Sequence, residues 1–369
     1  MPTARPTPIL LVARGLDPVG SGRQLELLAE GLLRAGRDLH LAVTSAGGSV
    51  PRRLAARGVA VHRIGTRPVV DIAAMARLIG LVGRLRPAAV LGWGRSQLVP
   101  VAAVRVAGSS ARVIGRIATP IGDRRTAWAL RRLDLVIASS PGVAASCGPL
   151  TALARPPEVI PPGIMIDTCG LLPREEVAAR LGLDPGKIWT LCVAPLVPRS
   201  RLERLVWAID QLGVVHKGLE HVLVGSGPLL QRVRSRAHVQ QLAERLFMMP
   251  HCDLLPDLLG HVQLVWQSGE VAHGGAILDA MARGIPAVAV ESEAARQLIV
   301  DGETGRIVPP LPESELPRRA FGTLEDGSLA ARYAAAARDR AATEFPAERM
   351  VAAHVAAIER LIEGPSVQP

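Results

Sequence analysis

Two short stretches of this chain concentrate residues able to handle a phosphorylated ligand. In the first, Arg199 and Arg201 flank Ser200 at the start of an amphipathic run. A guanidinium can grip a phosphate through two parallel N–H donors, so arginines placed there suit an anionic group. They read equally well as surface arginines at a helix start. In the second stretch, Gly269-Glu270-Val271-Ala272-His273-Gly274-Gly275 leads into a helix carrying Asp279. Gly274 and Gly275 open that helix, and N–H groups at a helix start are donors to phosphate oxygens. A tight strand-to-helix turn with no ligand accounts for the same glycines. Glu270 and His273 are candidate catalytic groups in the loop, with a plain polar loop residue the other reading of His273. Asp279 sits inside a helix, where aspartate is a mediocre former; it is either a solvated helix charge or a carboxylate kept for a ligand. A third stretch, Leu223-Val224-Gly225-Ser226-Gly227-Pro228-Leu229, is a strand entering a glycine turn with proline opening the next helix. Gly225 and Gly227 would let backbone approach a ligand, or simply make the turn.

These residues need elements to hold them. Ile9 to Ala13 reads as a first strand, and Leu25, Leu28, Ala29, Leu32 and Leu33 recur at helical spacing behind it. Further strands are expected at Leu39 to Thr44, Val59 to Ile64, Ala88 to Trp93, Arg112 to Ile117 and Leu133 to Ala138. A proline-rich segment, Ala154 to Gly163, reads as a hinge. The alternation then restarts: strand Trp189 to Val193, helix Leu202 to Leu212, strand His221 to Gly225, helix Leu229 to Leu242. Strand Val262 to Trp266, helix Ala276 to Arg283 and strand Ile285 to Val290 follow. Strand and helix in alternation imply parallel sheets covered by helices on both faces.

At 369 residues the chain exceeds a single core, so two domains are expected. No apolar run reaches the roughly 18 residues of a spanning helix. The N-terminal apolar run is too short for a signal peptide, so a cytoplasmic location is expected. Four cysteines (Cys147, Cys169, Cys192, Cys252) are far apart and lack metal-ligand spacing; free thiols are expected. The formal net charge is +10, yet Lys187 and Lys217 are the only lysines among 43 basic residues. That bias reads as codon preference rather than a binding stripe. Five tryptophans, three phenylalanines and one tyrosine offer few stacking platforms, which argues against nucleic acid. Weak peripheral contact with an anionic membrane surface is compatible with the charge.

The motifs, in this order, resemble those of glycosyltransferase family 4. Ser268 matches a serine that precedes the family's first site glutamate, and Leu278 to Pro286 (LDAMARGIP) is similar to LEAMAxGxP. Both anchors put Val271 at the first glutamate and Asp279 at the second. Val193 to Leu205 (VAPLVPRSRLERL) resembles VGRLVPEKG, with the family's arginine and lysine falling on Pro195 and Ser200. LVGSGPL matches VGxGP. Gly20 and Gly22 resemble the family's first glycine-rich loop, although Gly22 occupies its glutamate position. Ile160 to Ile164 (IPPGI) stands where the family reads IPNGVD. Where the family often carries a histidine, LGWGRS and GRIATP have none; Trp93, Arg95 and Arg116 are the candidates there.

The resemblance implies an α/β chain of GT-B fold, two doubly wound Rossmann-like domains facing a cleft. It implies an acceptor-side domain over 1–162, a nucleotide-sugar domain over 163–344, and a C-terminal helix in 345–369 that packs back on the first. The implied activity is retaining transfer of a sugar from a nucleotide-diphosphate donor to an unknown glycan, lipid or small-molecule acceptor, with no cofactor and no essential metal. Glu270, His273 and Arg201 would be catalytic. Gly225, Gly227, Arg199, Gly274, Gly275 and Asp279 would hold the donor, with Asp279 on the ribose, while Gly20, Gly22, Trp93 and Arg116 would face the acceptor. The altered charges leave a second reading open: a non-catalytic relative that binds a nucleotide, a glycan or a partner. No GxSxG elbow, GxxxxGK[ST] loop, HExxH, paired CxxC or complete GxGxxG is present to support another chemistry.

Overall fold

The computed structural model describes residues 7–65, 72–148, 153, 155–166 and 171–364. The chain divides into two compact units. The first runs to Leu16, resumes from Ser21 to Gly163, and takes back the chain from Ala347 onward; the second holds Asp17–Gly20 and Ile164–Pro346.

The first unit is built on seven parallel strands: β1 Ile9–Ala13, β2 Leu39–Val43, β3 Ala60–Arg63, β4 Ala89–Trp93, β5 Arg112–Ile117, β6 Leu135–Ala138 and β7 Glu158–Val159. Their order is β3-β2-β1-β4-β5-β6-β7. β1 is buried along its whole length and pairs on both sides, Ile9 with Leu39 and with Ala89. Its alternate residues feed two different cores. Ile9, Leu11 and Ala13 pack with Leu25, Leu28, Met350 and Ile358, while Leu10 and Val12 pack with Leu78, Val101 and Val113. A strand covered on both faces must be apolar at every position, which is why β1 reads as an unbroken run rather than an alternation. Helix Ala347–Glu363 lies against helix Ser21–Arg34. Gly31 permits the close approach, since a Cβ there would meet Val351 Cγ1 at 2.1 Å. The Arg37–Glu359 ion pair at 2.7 Å ties the same helix down.

The second unit has six parallel strands: β8 Ile188–Val193, β9 Leu219–Val224, β10 Leu246–Met249, β11 Leu264–Gln267, β12 Ala287–Val290 and β13 Arg306–Val308. Their order, β10-β9-β8-β11-β12-β13, again reverses direction beside the first strand of the unit. In such sheets the loops on either side of the reversal splay apart at the carboxyl ends, and ligands bind there. Here the reversal falls between β8 and β11, which pair through Leu264 with Thr190 and Val265 with Leu191.

Most strand and helix spans fall within a residue or two of the sequence reading. Helix Leu202–Val215 runs further than expected, and helix Leu230–Val239 stops sooner. Cys147, Cys192 and Cys252 are buried free thiols; Cys169 lies outside the described residues. No helix among the described residues is long and apolar enough to cross a membrane.

Candidate functional site

In the second unit, the loops leaving β8, β9 and β11 are pinned to one another. Gln267, the last residue of β11, donates from Nε2 to Val193 O at the end of β8 (2.9 Å). Ser268 Oγ donates to Ser200 O (2.9 Å), and Glu270 N donates to Arg199 O (3.0 Å). On the other side, Leu196 N donates to Ser226 O and Leu229 N to Leu196 O, both at 3.0 Å. Gly225 and Gly227 are there for approach: a Cβ would sit 1.9 Å from Ala194 O at the first and 2.4 Å from Leu196 O at the second. One cluster at the sheet reversal therefore gathers Arg199, Arg201, Gly225, Gly227, Glu270, Gly274 and Gly275.

Within it, Arg199 and Arg201 are exposed. Arg201 is left-handed (φ 48°) at the head of helix Leu202–Val215, which turns the chain sharply after the β8 loop. Between them Ser200 is fully buried, and its hydroxyl has no hydrogen-bond partner among the described residues. Glu270 is half-buried. Its carboxylate accepts from Glu293 N (2.9 Å), just inside helix Glu293–Leu298. Burial raises its pKa above the ordinary carboxylate range, against the pull of the Glu293 and Ala294 amides and the Arg199 charge. His273 is buried rather than a solvated loop residue, and is held in the left-handed region (φ 55°).

The loop glycines act differently from the expectation. Gly274 N donates to Val271 O (3.0 Å) and Gly275 N to Ala272 O (3.2 Å), so neither N–H is left for a phosphate. The tight turn at Ala272–Gly274 consumes them. What the glycines supply is space. At Gly275 (φ 59°) a Cβ would lie 2.2 Å from Gln267 Nε2 and 2.3 Å from Val193 O.

Asp279 is not a solvated helix charge. It is 1% exposed, and its Oδ2 accepts from Gly20 N (2.9 Å). Gly20 belongs to the 17–20 loop, which the second unit holds at several points. Asp17 Oδ2 meets His251 Nδ1 at 3.1 Å, Val19 enters the apolar core, and a Cβ on Gly20 (φ 54°) would strike Gly275 O at 2.3 Å. The sequence reading places this loop in the first domain and misses Asp17, His251 and Gln267 as parts of the arrangement. Their only local signal is position at, or a few residues past, a strand end.

In the first unit, Gly22 is buried in helix Ser21–Arg34. Trp93 and Arg116 come together but do not stand open to solvent: they are 4% and 1% exposed, with the guanidinium 4.8 Å over the indole. Trp93 Nε1 donates to Ser21 O (3.0 Å), and Arg116 Nε donates to His354 Nε2 (3.1 Å). Burial pushes Arg116 down to about 9. Arg95 is engaged elsewhere, with Asp123. His354, absent from the sequence reading, takes the place beside Arg116 from the C-terminal helix.

Burial, and then the Arg116 charge, push His354 down to about 3. Burial, with Arg245 and His216, does the same to His221 in the second unit, also to about 3. For both, the unfolded chain binds the proton first as pH falls below the usual 6.5, so folding stability drops between there and about 3. At pH 5 each costs about 2 kcal/mol relative to pH 7. Urea midpoints at the two pH values should show the loss, and His221→Gln and His354→Gln should each flatten it. A wild-type midpoint unchanged down to pH 5 would contradict the buried-neutral assignment.

Comparison with known proteins fits this geometry. Residues 173–340 match the family model described as glycosyl transferases group 1. A GDP-mannose-dependent alpha-(1-6)-phosphatidylinositol monomannoside mannosyltransferase of Mycolicibacterium smegmatis is 28% identical over 179 residues, covering 45% of each chain. Alpha-D-kanosaminyltransferase of Streptomyces kanamyceticus is 27% identical over 165 residues, covering 44% of this chain and 42% of its own. These matches span under half the length of the curated relatives. Among solved structures, Anabaena HepE in complex with UDP-glucose superposes with a TM-score of 0.78 at 18% identity, covering 95% of this chain and 99% of that one. WaaG, a glycosyltransferase involved in lipopolysaccharide biosynthesis, gives 0.72 at 14% identity over 97% and 100%. The chain therefore has the GT-B fold, and its 173–340 segment carries the sequence pattern of glycosyl transferases group 1.

Proposed function

We propose that the protein transfers a sugar from a nucleotide-diphosphate donor to an acceptor, with the donor held by the second unit. The observation that carries this reading is the pinned cluster of β8, β9 and β11 loops at the sheet reversal, inside the segment that matches the family model. Exposed Arg199 and Arg201 supply charge for the departing diphosphate, and preorganised charge of this kind is usually the largest catalytic term. Glu270 lies beside them with its pKa raised, and is the candidate to contact the transferred sugar. The Mycolicibacterium smegmatis relative is named for GDP-mannose and a phosphatidylinositol monomannoside, and one solved neighbour holds UDP-glucose. GDP-mannose and UDP-glucose are therefore the first donors to try, and a lipid-linked acceptor the first acceptor class.

The test is thermal melting with GDP, UDP, ADP and their sugar conjugates. A ligand at a hundredfold its dissociation constant adds about 2.7 kcal/mol to stability, or about 5–10 °C for a domain of this size. One base should stabilise selectively. Glu270→Gln keeps an oxygen for Glu293 N, so its melting temperature should stay near wild type while donor turnover falls about a hundredfold. No stabilisation by any nucleotide would overturn the reading.

A second reading, a nucleotide-binding relative without turnover, has its own support. Val271, at the position where the resemblance implies a glutamate, lies in an apolar cluster. Ser200, at the implied lysine position, is fully buried. Selective stabilisation by a sugar nucleotide, with no donor hydrolysis and no transfer, would favour it.

A further inference from the structure

We propose that the first unit takes a phosphorylated polyol or sugar as the acceptor, at the carboxyl ends of β1 and β4, with Arg14 on the phosphate and Gln97 on a neighbouring hydroxyl. The strand order of that sheet reverses between β1 and β4, and ligands of doubly wound sheets bind beside such a reversal. Arg14 is the first residue past β1. Leu10 and Val12 pack on the face that holds Leu98 and Val101. Side chains alternate along a strand, so Arg14, two residues past Val12, continues on that face. Gln97 reaches the same place from the adjacent strand. Val12 pairs with Gly92, and a Cβ on Gly92 would meet Val101 Cγ2 at 2.9 Å and Gln97 O at 3.2 Å. The turn from Gly94 to Gln97, closed by Gln97 N donating to Gly94 O (2.9 Å), therefore folds over the face from which Arg14 projects.

Both side chains carry unmatched polar groups. Arg14 is half-buried, and among the described residues its guanidinium has no hydrogen-bond or ion-pair partner. Burial lowers its pKa, with no carboxylate opposing the shift. Arg95 in the adjacent turn is already engaged, with Asp123 and with Pro120 O (3.3 Å). Gln97 is 0% exposed. Its Nε2 donates to Ser96 Oγ (3.0 Å), but its Oε1 has no partner among the described residues. A desolvated guanidinium grips a phosphate through two N–H donors, and a carboxamide oxygen accepts from a hydroxyl. One small molecule with a phosphate beside a hydroxyl satisfies both. The Gln97 oxygen is enclosed, so its turn must open slightly for the hydroxyl, and Gly94 (φ 88°), with open space where a Cβ would stand, gives it that freedom. The proposal rests on the transfer reading in naming this ligand the acceptor; binding itself is measured without a donor.

The experiment is calorimetric titration of the full chain, at constant ionic strength, with glycerol phosphate, inorganic phosphate, glycerate and glycerol. Glycerol phosphate should bind tightest, inorganic phosphate more weakly, glycerate about tenfold more weakly than glycerol phosphate, and glycerol not measurably. Short-chain phosphatidylglycerol distinguishes a lipid headgroup from a free phosphate ester: the tighter binder is the source. Arg14→Gln should weaken both phosphates about tenfold or more. Arg14→Lys should recover part of that loss, because the charge stays while the planar fork does not. Gln97→Leu replaces an unmatched oxygen with apolar atoms of similar size, so its melting temperature should hold or rise. It should bring glycerol phosphate down to the affinity of inorganic phosphate and leave the latter unchanged. Arg199→Gln with Arg201→Gln should leave both phosphates bound, and Arg14→Gln should keep wild-type stabilisation by nucleotides. The proposal is overturned if neither phosphate binds, if glycerate binds as well as glycerol phosphate, or if the losses follow Arg199 and Arg201 instead of Arg14. It is overturned equally if Arg14→Gln abolishes nucleotide stabilisation, which would make Arg14 a donor-phosphate residue. Phosphate binding through Arg14 without stabilisation by any nucleotide would strike the transfer reading and leave the phosphate site standing.

Discussion

Asp279→Ala should lower nucleotide-dependent stabilisation and any donor turnover by about a hundredfold or more, the usual scale for loss of a preorganised polar group at a reacting site. Two causes act together. The carboxylate is almost fully buried in the helix that follows the β11 loop, and it accepts from Gly20 N. Removing it strands a buried N–H, at a cost of about 1–3 kcal/mol, and frees a loop whose Gly20 sits against Gly275 O. It also removes the negative charge assigned to the donor ribose. Asp279→Asn separates these effects. Its amide oxygen can still accept from Gly20, so the melting temperature should remain close to wild type. If nucleotide affinity falls in Asp279→Asn while melting in the absence of ligand does not, the charge serves the ligand. If both properties stay at wild-type values, Asp279 is an anchor for the 17–20 loop and its assignment to the donor site is wrong. Asp279→Glu, which would match the family pattern, adds a methylene to a site that is 1% exposed, and overpacking there should cost about 1–3 kcal/mol.

Val271→Glu should be the most destabilising single change at the site. The position matches the first glutamate of the resembled family, which makes the substitution look like a restoration. Val271 is 4% exposed, however, and shares a core cluster with Leu196, Leu202, Val290 and Leu316. A carboxylate placed there is neither solvated nor paired, and such burial costs several kcal/mol, about 3 or more. At about 2–4 °C per kcal/mol the melting temperature of a domain this size should fall by roughly 6 °C or more. The pH dependence identifies the mechanism. Burial raises a carboxyl pKa, so the folded variant holds its proton to higher pH than the unfolded chain. The deficit should therefore be smallest near the ordinary carboxylate pKa and grow as pH rises through neutrality. Val271→Ile, similar in shape and still apolar, should cost far less. A Glu variant as stable as wild type, with gained nucleotide affinity, would mean that the loop re-registers to turn the side chain outward, against the packing described here.

The positions that differ from the resembled motifs thus have a local physical basis. At the first glutamate position, an adjacent residue carries the carboxylate, but backbone geometry aims it at the Glu293 amide. At the implied lysine position, Ser200 is enclosed between loops and its carbonyl accepts from Ser268. The charge next to Ser200 is carried by its exposed neighbours, Arg199 and Arg201. A motif alignment states which residue types have changed, but the direction of each side chain follows from how adjacent loops brace one another.

The amino-acid sequence by itself determined the alternation of strands and helices, the double-domain organisation and the order of the motifs. These rest on short-range physics. β1 reads as a strand because both its faces are covered, and helix Ser21–Arg34 reads as a helix because its leucines recur along one stripe. The tertiary structure alone decided that Gly20 meets Asp279, that Asp17 meets His251, that His354 of the last helix closes over Arg116, and that Gly274 and Gly275 spend their N–H groups on their own turn. Most of these contacts join residues hundreds of positions apart, and even the turn depends on how β8 and β11 come together. No periodicity records a pairing of that kind, because it is set by strand order and by which backbone groups remain unsatisfied once the sheet has formed.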